Sequence, residues 1–434
     1  MALHCGRACR QYLLHLAHDN VDFRLPEIKA LLSLRSRPFD TSETFKETSP
    51  FWQLNGLSEE DVQSIMSRTV CAKSAFELWG HGRTTAELKT SLLQYPAKNM
   101  ALDFLPFKGK VNLKDPDHIF CLLEDYGSDP NFIPEQPFHI YFGRWIADGQ
   151  RELIRSYSVK KRHFIGNTSM DAGLSFIMAN HAKVKANDLV YDPFVGTGSL
   201  LVACSRFGAY VCGTDIDFNT IHGIGKASRK DQKWRGPDEN IQANLRQYGT
   251  ESLYVDVMVS DASKHVWRKS AQFDAIVTDP PYGIRESTRR TGSHKDIIKP
   301  PEDFSGESHV PVSMAYHLSD IFADLLNFAA HHLVLGGRLI YWLPVYKPEY
   351  CVEMVPLHPC LTLISNCEQT LSSQTSRRLI TMEKTKEPEE SDRLAHLADP
   401  HFTPYQGHNS FREKYFSGLT KKNAKDNAKS TPGE

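Results

Sequence analysis

Four aspartates, each closing a short apolar run, are the residues best suited to hold a polar ligand. Asp192 ends Leu189-Val-Tyr-Asp192, and Asp215 follows Ala209-Tyr-Val-Cys-Gly-Thr214. Asp261 follows Leu253-Tyr-Val-Asp-Val-Met-Val-Ser260, and Asp279 follows Phe273-Asp-Ala-Ile-Val-Thr278. Runs this short and this rich in Val, Ile and Tyr read as buried strands, so the acids collect at the carboxyl edge of one sheet. Between Asp192 and the apolar Leu200, Leu201 and Val202 stand Phe194, Gly196, Thr197 and Gly198. Glycine accepts positive φ and lets a ligand come close to the backbone. A strand, a glycine turn and a helix start make a nucleotide-type site. The pattern is neither G-x-G-x-x-G nor a phosphate loop ending in Gly-Lys-Ser/Thr. The carboxylate of Asp192 suits a cationic ligand better than a pyrophosphate. Asp215 stands about 20 residues beyond the glycines, where nucleoside-binding sheets place an acceptor for ribose hydroxyls. Asp279 runs into Pro280, Pro281 and Tyr282. Two prolines cannot continue a central strand, so they fix a stiff turn that presents a carboxylate, carbonyls and an aromatic ring.

As an ordered pair, Asp192-Pro-Phe-Val-Gly-Thr-Gly198 and Asp279-Pro-Pro-Tyr282 resemble the two signature motifs of amino-group methyltransferases that use S-adenosylmethionine. The resemblance implies that Asp192, Phe194 and the Gly196–Gly198 turn face the methionine part of that cofactor. Asp215 would accept from the ribose hydroxyls and Asp261 from the adenine amino group, with the backbone N–H of Ala262 nearby. Asp279 and the Pro280 carbonyl, held by Pro281, would accept the two N–H bonds of an exocyclic amine. Tyr282 would offer a ring face to a flipped base.

The elements that must position these groups need a long chain, and 434 residues suffice for two or three domains. A net charge of -1 excludes a global pull toward nucleic acid, so any basic surface is local. Lys160, Lys161 and Arg162 form one such cluster, read as phosphate contacts. Arg285, Arg289 and Arg290 form a second in the loop after Tyr282, and Lys226 to Arg235 around Trp234 a third. No apolar run near 18 residues predicts a membrane span. Nine scattered cysteines, with no matching pair at zinc spacing, predict reduced thiols in the cytosol or nucleus and no metal site, and the expected location is the cytoplasm. Residues 11–18 and 51–54 read as strands. Helices are expected from Pro26, with that proline in the first turn, and from Ser58. This alternation predicts a ferredoxin-like α+β domain over 1–80. Domains are expected at 81–150, 151–384 and 385–434, the last a charged linker, a docking segment at Phe411–Gly418 and a tail. Gly336-Gly337 reads as the turn between a helix at 317–332 and the strand from Arg338. Leu361–Asn366 and Arg378–Met382 close the sheet.

The resemblance extends beyond two motifs, through Arg24-Leu-Pro-Glu-Ile28, Phe142-Gly-Arg-Trp-Ile146, Lys161 to Met170, Asn244-Leu-Arg-Gln-Tyr248 and Gly407-His-Asn-Ser-Phe411. The whole chain resembles the catalytic subunits of the eukaryotic tRNA (guanosine-10, N2) methyltransferases. That family joins a ferredoxin-like domain, a THUMP RNA-binding domain and a class I, Rossmann-like methyltransferase domain. The resemblance implies tRNA as substrate, the N2 amino group of guanosine 10 as acceptor, and a heterodimer with a small zinc-binding activator subunit. In one place the chain departs from it. The family carries some tens of further residues between Met100 and Ala101, so the THUMP region, 81–150, is expected to be shortened there. Two other readings share the motifs: an amino-methyltransferase on another RNA or DNA base, and a catalytically idle RNA-binding protein.

Overall fold

The computed structural model describes residues 10–35, 45–94, 112, 114–127, 129, 131–264, 266–284, 286, 288–292, 313–389 and 407–417. The chain divides into two compact units, Met1–Ser156 and Tyr157–Glu434.

The first unit runs β1 (Gln11–Leu16), α1 (Val21–Ser33), β2 (Phe51–Asn55), α2 (Glu59–Met66), β3 (Ala72–Gly82), α3 (Thr85–Gln94), β4 (Phe120–Asp125), β5 (His139–Asp148), α4 (Glu152–Ser156). Its sheet has the order β2-β1-β3-β5-β4, antiparallel at every step. β2 and β3 therefore run parallel on either side of β1, with α2 between them in sequence. That is the split β-α-β arrangement of a ferredoxin-like fold. α2 starts where the sequence places it, with Ser58 and Asp61 forming a capping box. α1 corrects one expectation. It begins at Val21, so Pro26 lies in its body rather than its first turn. Ile28, Leu31 and Leu32 pack on Tyr12, Leu14 and Trp52, and that burial offsets the backbone bond the proline lacks. The boundary expected at 80/81 is also corrected. β3 runs through it, pairing with β1 on one side and β5 on the other, and a cut there would break a central strand. The second boundary moves from 150/151 to 156/157, since α4 stays with the first unit.

The second unit contains α5 (Ala172–His181), β6 (Leu189–Asp192), α6 (Ser199–Ser205), β7 (Tyr210–Asp215), α7 (Phe218–Ile221), α8 (Ile241–Gln247) and β8 (Tyr254–Val259). Then follow β9 (Phe273–Thr278), β10 (Arg289–Thr291), β11 (Ser313–Ala315), α9 (Leu318–His332), β12 (Leu333–Tyr346), β13 (Leu361–Thr370) and β14 (Thr375–Lys384). Seven strands form a sheet in the order β13-β14-β12-β9-β6-β7-β8. β12, β9, β6, β7 and β8 are parallel, and β14 is inserted antiparallel beside β12. This is the Rossmann-like arrangement of class I methyltransferases. The chain leaves β6 toward β7 on one side and later returns to β9 on the other. The carboxyl ends of β6 and β9 thus flank a topological switch point, where open sheets bind ligands.

α9 seals one face, its Ile321, Phe322 and Leu325 packed with Ile276, Leu339, Tyr341 and Ile380. The glycine pair after it is corrected from turn to bulge. Gly336 and Gly337 lie inside β12, whose pairing with β9 slips between Leu333 and Arg338, and Gly336 takes φ 78° to absorb the slip. Phe411, in the helical residues 411–417, is buried in the same core, with Tyr415 packed partly buried against it.

Candidate active site

The carboxyl edge of the second sheet opens into a cleft of about 1030 Å³, lined among others by Phe194, Gly196, Thr197, Asp215, Asp261, Ala262, Asp279 and Pro281. Residues from four strand ends, distant in sequence, meet in one space.

The glycine turn is shaped from beneath. Asp192 is buried, and its Oδ1 accepts from the Phe194 N–H at 3.0 Å and the Thr278 hydroxyl at 2.6 Å. Burial pushes its pKa up to about 7, against those two hydrogen bonds. It is not among the residues lining the cleft, which corrects the expectation that it faces the ligand. Its carboxyl ties β6 to β9 and sets the turn. Gly198, at φ 75°, packs so closely that a Cβ would stand 2.7 Å from Ile241. Gly196, at φ 49°, has nothing within 4 Å of where a Cβ would go, and it lines the cleft. A cradle open at that point fits a ligand lying against the backbone. Thr197 is held from above, its hydroxyl 2.6 Å from that of Ser169.

Asp215 accepts one backbone N–H on each oxygen, from Gly196 at 2.9 Å and Asp217 at 2.9 Å. A carboxylate oxygen has two acceptor sites, so each retains one for a ribose hydroxyl. Burial raises its pKa, with those backbone bonds opposing. The geometry suits the nucleoside end of S-adenosylmethionine. Asp261 differs from expectation. Its Oδ1 accepts the Ser263 N–H and hydroxyl, and its Oδ2 accepts the Thr291 N–H and hydroxyl. Those hydrogen bonds outweigh burial and hold its pKa below the usual carboxylate value. With every acceptor site filled, Asp261 pins β10 to the sheet edge and has none left for an adenine amino group. Ala262 lines the cleft beside it.

At the end of β9, Asp279 reaches the cleft while its carboxylate is gripped from behind. The Tyr282 hydroxyl donates to Oδ1 and the Arg377 guanidinium to Oδ2 at 3.4 Å. Arg377 also donates to the Tyr282 oxygen at 3.3 Å and to Gln369 at 2.7 Å, and lies 4.0 Å over the Trp342 ring. Burial raises the pKa of Asp279, while Arg377 and Tyr282 lower it. Tyr282 is therefore not the exposed ring face expected for a base. It packs on the core, outside the cleft lining, and its hydroxyl orients the carboxylate. Arg377 was not singled out in the sequence. It sits on the last strand, 98 residues from Asp279, and only β14 lying beside β12 brings it near.

The basic clusters separate. Lys160 and Lys161 are exposed, but Arg162 is corrected from phosphate contact to structural cation. It is 1% exposed, and its guanidinium donates to the Ser199 hydroxyl at 2.7 Å. Arg289 is exposed on the cleft. Arg290 is half-buried, with its guanidinium 5.7 Å over the Tyr316 ring. Arg285 lies outside the described residues. The sequence reading also missed Gly166, Asn167 and Thr168, which line the cleft, and Glu286, which lines it and bonds Thr168.

Known proteins resemble the chain in both of its units. A family model described as "Tmrp11 THUMP N-terminal domain" matches residues 10–101 and 97–151, and one described as "RMKL-like, methyltransferase domain" matches 160–296. The chain is 64% identical to the human tRNA (guanine(10)-N(2))-methyltransferase TRMT11 over 459 residues, covering 98% of this chain and 99% of that protein. It is 66% identical to the mouse protein of that name over 447 residues, covering 96% and 97%. It is 31% identical to the Saccharomyces cerevisiae tRNA (guanine(10)-N(2))-methyltransferase over 417 residues, covering 86% and 92%. Among solved structures, TrmN from Thermus thermophilus is similar at 14% identity and a TM-score of 0.40, over 86% of this chain and 99% of that one. The human alignment spans 459 positions, of which 98% of 434 residues supplies about 425; roughly 34 positions have no counterpart here.

Proposed function

This chain belongs to the tRNA (guanine(10)-N(2))-methyltransferase family, and on that premise we propose that it methylates the N2 amino group of guanosine 10 in tRNA, using S-adenosylmethionine. One observation carries the reading: a carboxylate at the cleft, Asp279, oriented by Arg377 and Tyr282 at the end of the strand beside the glycine turn. S-adenosylmethionine supplies, when bound, an electrophilic methyl on a sulfonium. Gly196 and Asp215 would hold it along β6 and β7. The chain's own work is then on the amine. A guanine amino group has its lone pair delocalised into the ring. Asp279 would accept one of its N–H bonds and the Pro280 carbonyl the other, which favours a tetrahedral nitrogen with the lone pair aimed along the methyl–sulfur bond that breaks; sulfur would leave as a neutral thioether and the methylated nitrogen would lose its proton toward Asp279. Pro281 forms part of the wall beside the base.

The finer assignments belong to the same proposal. We place the reaction in the cytoplasm as part of tRNA processing; among the described residues no helix is long and apolar enough to cross a membrane. The zinc-binding activator subunit is proposed to cover the edge strand β8, where Val255, Met258 and Val259 are 54%, 36% and 43% exposed. An unpaired apolar edge is a template for another chain. The roughly 34 missing positions are proposed to lie near Met100, where the two matched pieces of the first model meet, at 97–101. That segment lies outside the described residues. An idle RNA-binding protein is disfavoured by a catalytic carboxylate already oriented by two partners.

The test is single-turnover methylation of transcribed tRNA with labelled cofactor, with and without the activator, followed by mapping of the modified nucleotide. Label at guanosine 10 is expected. Asp279→Ala should lower the rate by roughly 10²–10⁴-fold while cofactor affinity stays at wild type. Label on another nucleotide, or near-normal turnover by the variant, sinks the reading.

A further inference from the structure

Between α7 and α8 the chain makes a small hairpin that the proposed chemistry does not use. Lys226 and Trp234 form an antiparallel bridge, and Arg235 N–H closes it on the Gly225 carbonyl at 3.0 Å. The hairpin is anchored at both feet. The Arg235 guanidinium donates to the Ile224 carbonyl at 3.0 Å and lies 4.8 Å over the Phe164 ring. The Arg229 guanidinium donates to the carbonyls of Arg162 and, at 3.3 Å, His163. Lys226, Ala227, Ser228 and Arg235 form part of the cleft wall, so the hairpin is one rim of the active site.

At this rim a tryptophan faces solvent. Trp234 is 59% exposed, with Lys233 exposed beside it and Lys230 exposed at the tip. The Arg229 bonds bring up the exposed Lys160 and Lys161 from a segment some 70 residues earlier. Two basic clusters thus become one strip around an aromatic face. Of the nearby acids, Glu239 is occupied by Gln232 and Gly236, leaving Asp231 and Asp238 exposed. A protein interface core is depleted in lysine. An aromatic face set among lysines instead matches an unstacked base flanked by phosphates.

We propose that this hairpin is an RNA-binding lip: Trp234 stacks on an unstacked nucleotide next to the target base, with Lys230, Lys233, Lys160 and Lys161 on the neighbouring phosphates. The inference rests on the proposed function for its ligand class, since extruding a base for chemistry unstacks its neighbours. The experiment measures binding of full-length chain, with its activator where required, to transcribed tRNA over a range of salt. Trp234→Ala should weaken tRNA binding about tenfold, with cofactor affinity unchanged, and Trp234→Phe should stay within about threefold of wild type. The pair Lys230→Ala and Lys233→Ala should reduce the log–log salt slope by roughly 0.7–0.9 for each charge removed. A Trp234→Ala chain that binds tRNA like wild type overturns the lip, as does an equal loss in the Ala and Phe variants. Loss of activator binding with tRNA affinity intact also overturns it, by making the rim a protein interface. Wild-type chain that binds tRNA but methylates a different nucleotide refutes guanosine 10 and leaves the lip standing on its own variants.

Discussion

Arg377 is the residue on which the ionisation of Asp279 turns. The ionised carboxylate is the stronger acceptor for an amine N–H and, unlike the neutral acid, presents no O–H; burial of Asp279 favours the neutral acid while Arg377 opposes it. Activity should therefore fall as pH drops through the pKa of Asp279. Removing the guanidinium leaves burial less opposed, so in Arg377→Ala the acid limb of the pH–rate profile should move to higher pH. Arg377→Lys keeps a cation and should shift it less. A purely structural role would lower the rate at every pH without moving the limb, and that profile would remove Arg377 as a positioning residue. The signature of Asp279 was legible, because two prolines after an apolar strand leave few alternatives to a rigid turn. That of Arg377 was not, because an arginine on a terminal strand carries no local sign of its partner.

Among elements, the strap at 157–170 holds the glycine turn in place. α8 zips it down: Asn244 exchanges two hydrogen bonds of 2.8 Å with the Phe164 backbone, and Gln247 bonds the backbones of Lys161 and His163. Arg162 pins the same strap to Ser199 at the first turn of α6. Arg162→Ala should therefore lower stability by about 1–3 kcal/mol, through the lost charge-assisted bond and an unsatisfied Ser199 hydroxyl. It should leave the salt slope of tRNA binding unchanged. Thermal unfolding beside a salt titration separates the two effects, and a flatter slope with unaltered Tm would return Arg162 to the phosphate contacts. Lys160 to His163 reads as a single basic cluster in sequence. A helix 80 residues away decides which way its side chains turn.

For the whole molecule, the first unit carries the proposed deletion and the second every acid of the cleft. A loss near Met100 should therefore weaken tRNA binding and spare cofactor binding. Inserting the residues that the human relative has at that place should raise tRNA affinity with cofactor affinity constant. Equal tRNA affinity for the short and restored chains would show that the missing stretch takes no part in docking.

The sequence by itself determined the alternation of strands and helices as far as α2, the four strands that lead to the aspartates, the glycine turn and the Asp279-Pro-Pro-Tyr282 turn, since apolar periodicity, caps and prolines act over a few residues; it did not show β3, the central strand of the first unit. It also placed Asp215 at a strand end, while only the structure shows that each of its oxygens keeps an acceptor site. Only the tertiary structure decided that Asp192 lies under the turn, that Thr291 fills Asp261, and that Tyr282 and Arg377 grip Asp279. Thr278, Thr291 and Arg377 are partners supplied from elsewhere in the fold, and Tyr282, three residues from Asp279, is turned onto it by the fold of the loop. A carboxylate looks the same in sequence whether its acceptor sites are open or filled, and it is the packing of distant strands that fills them.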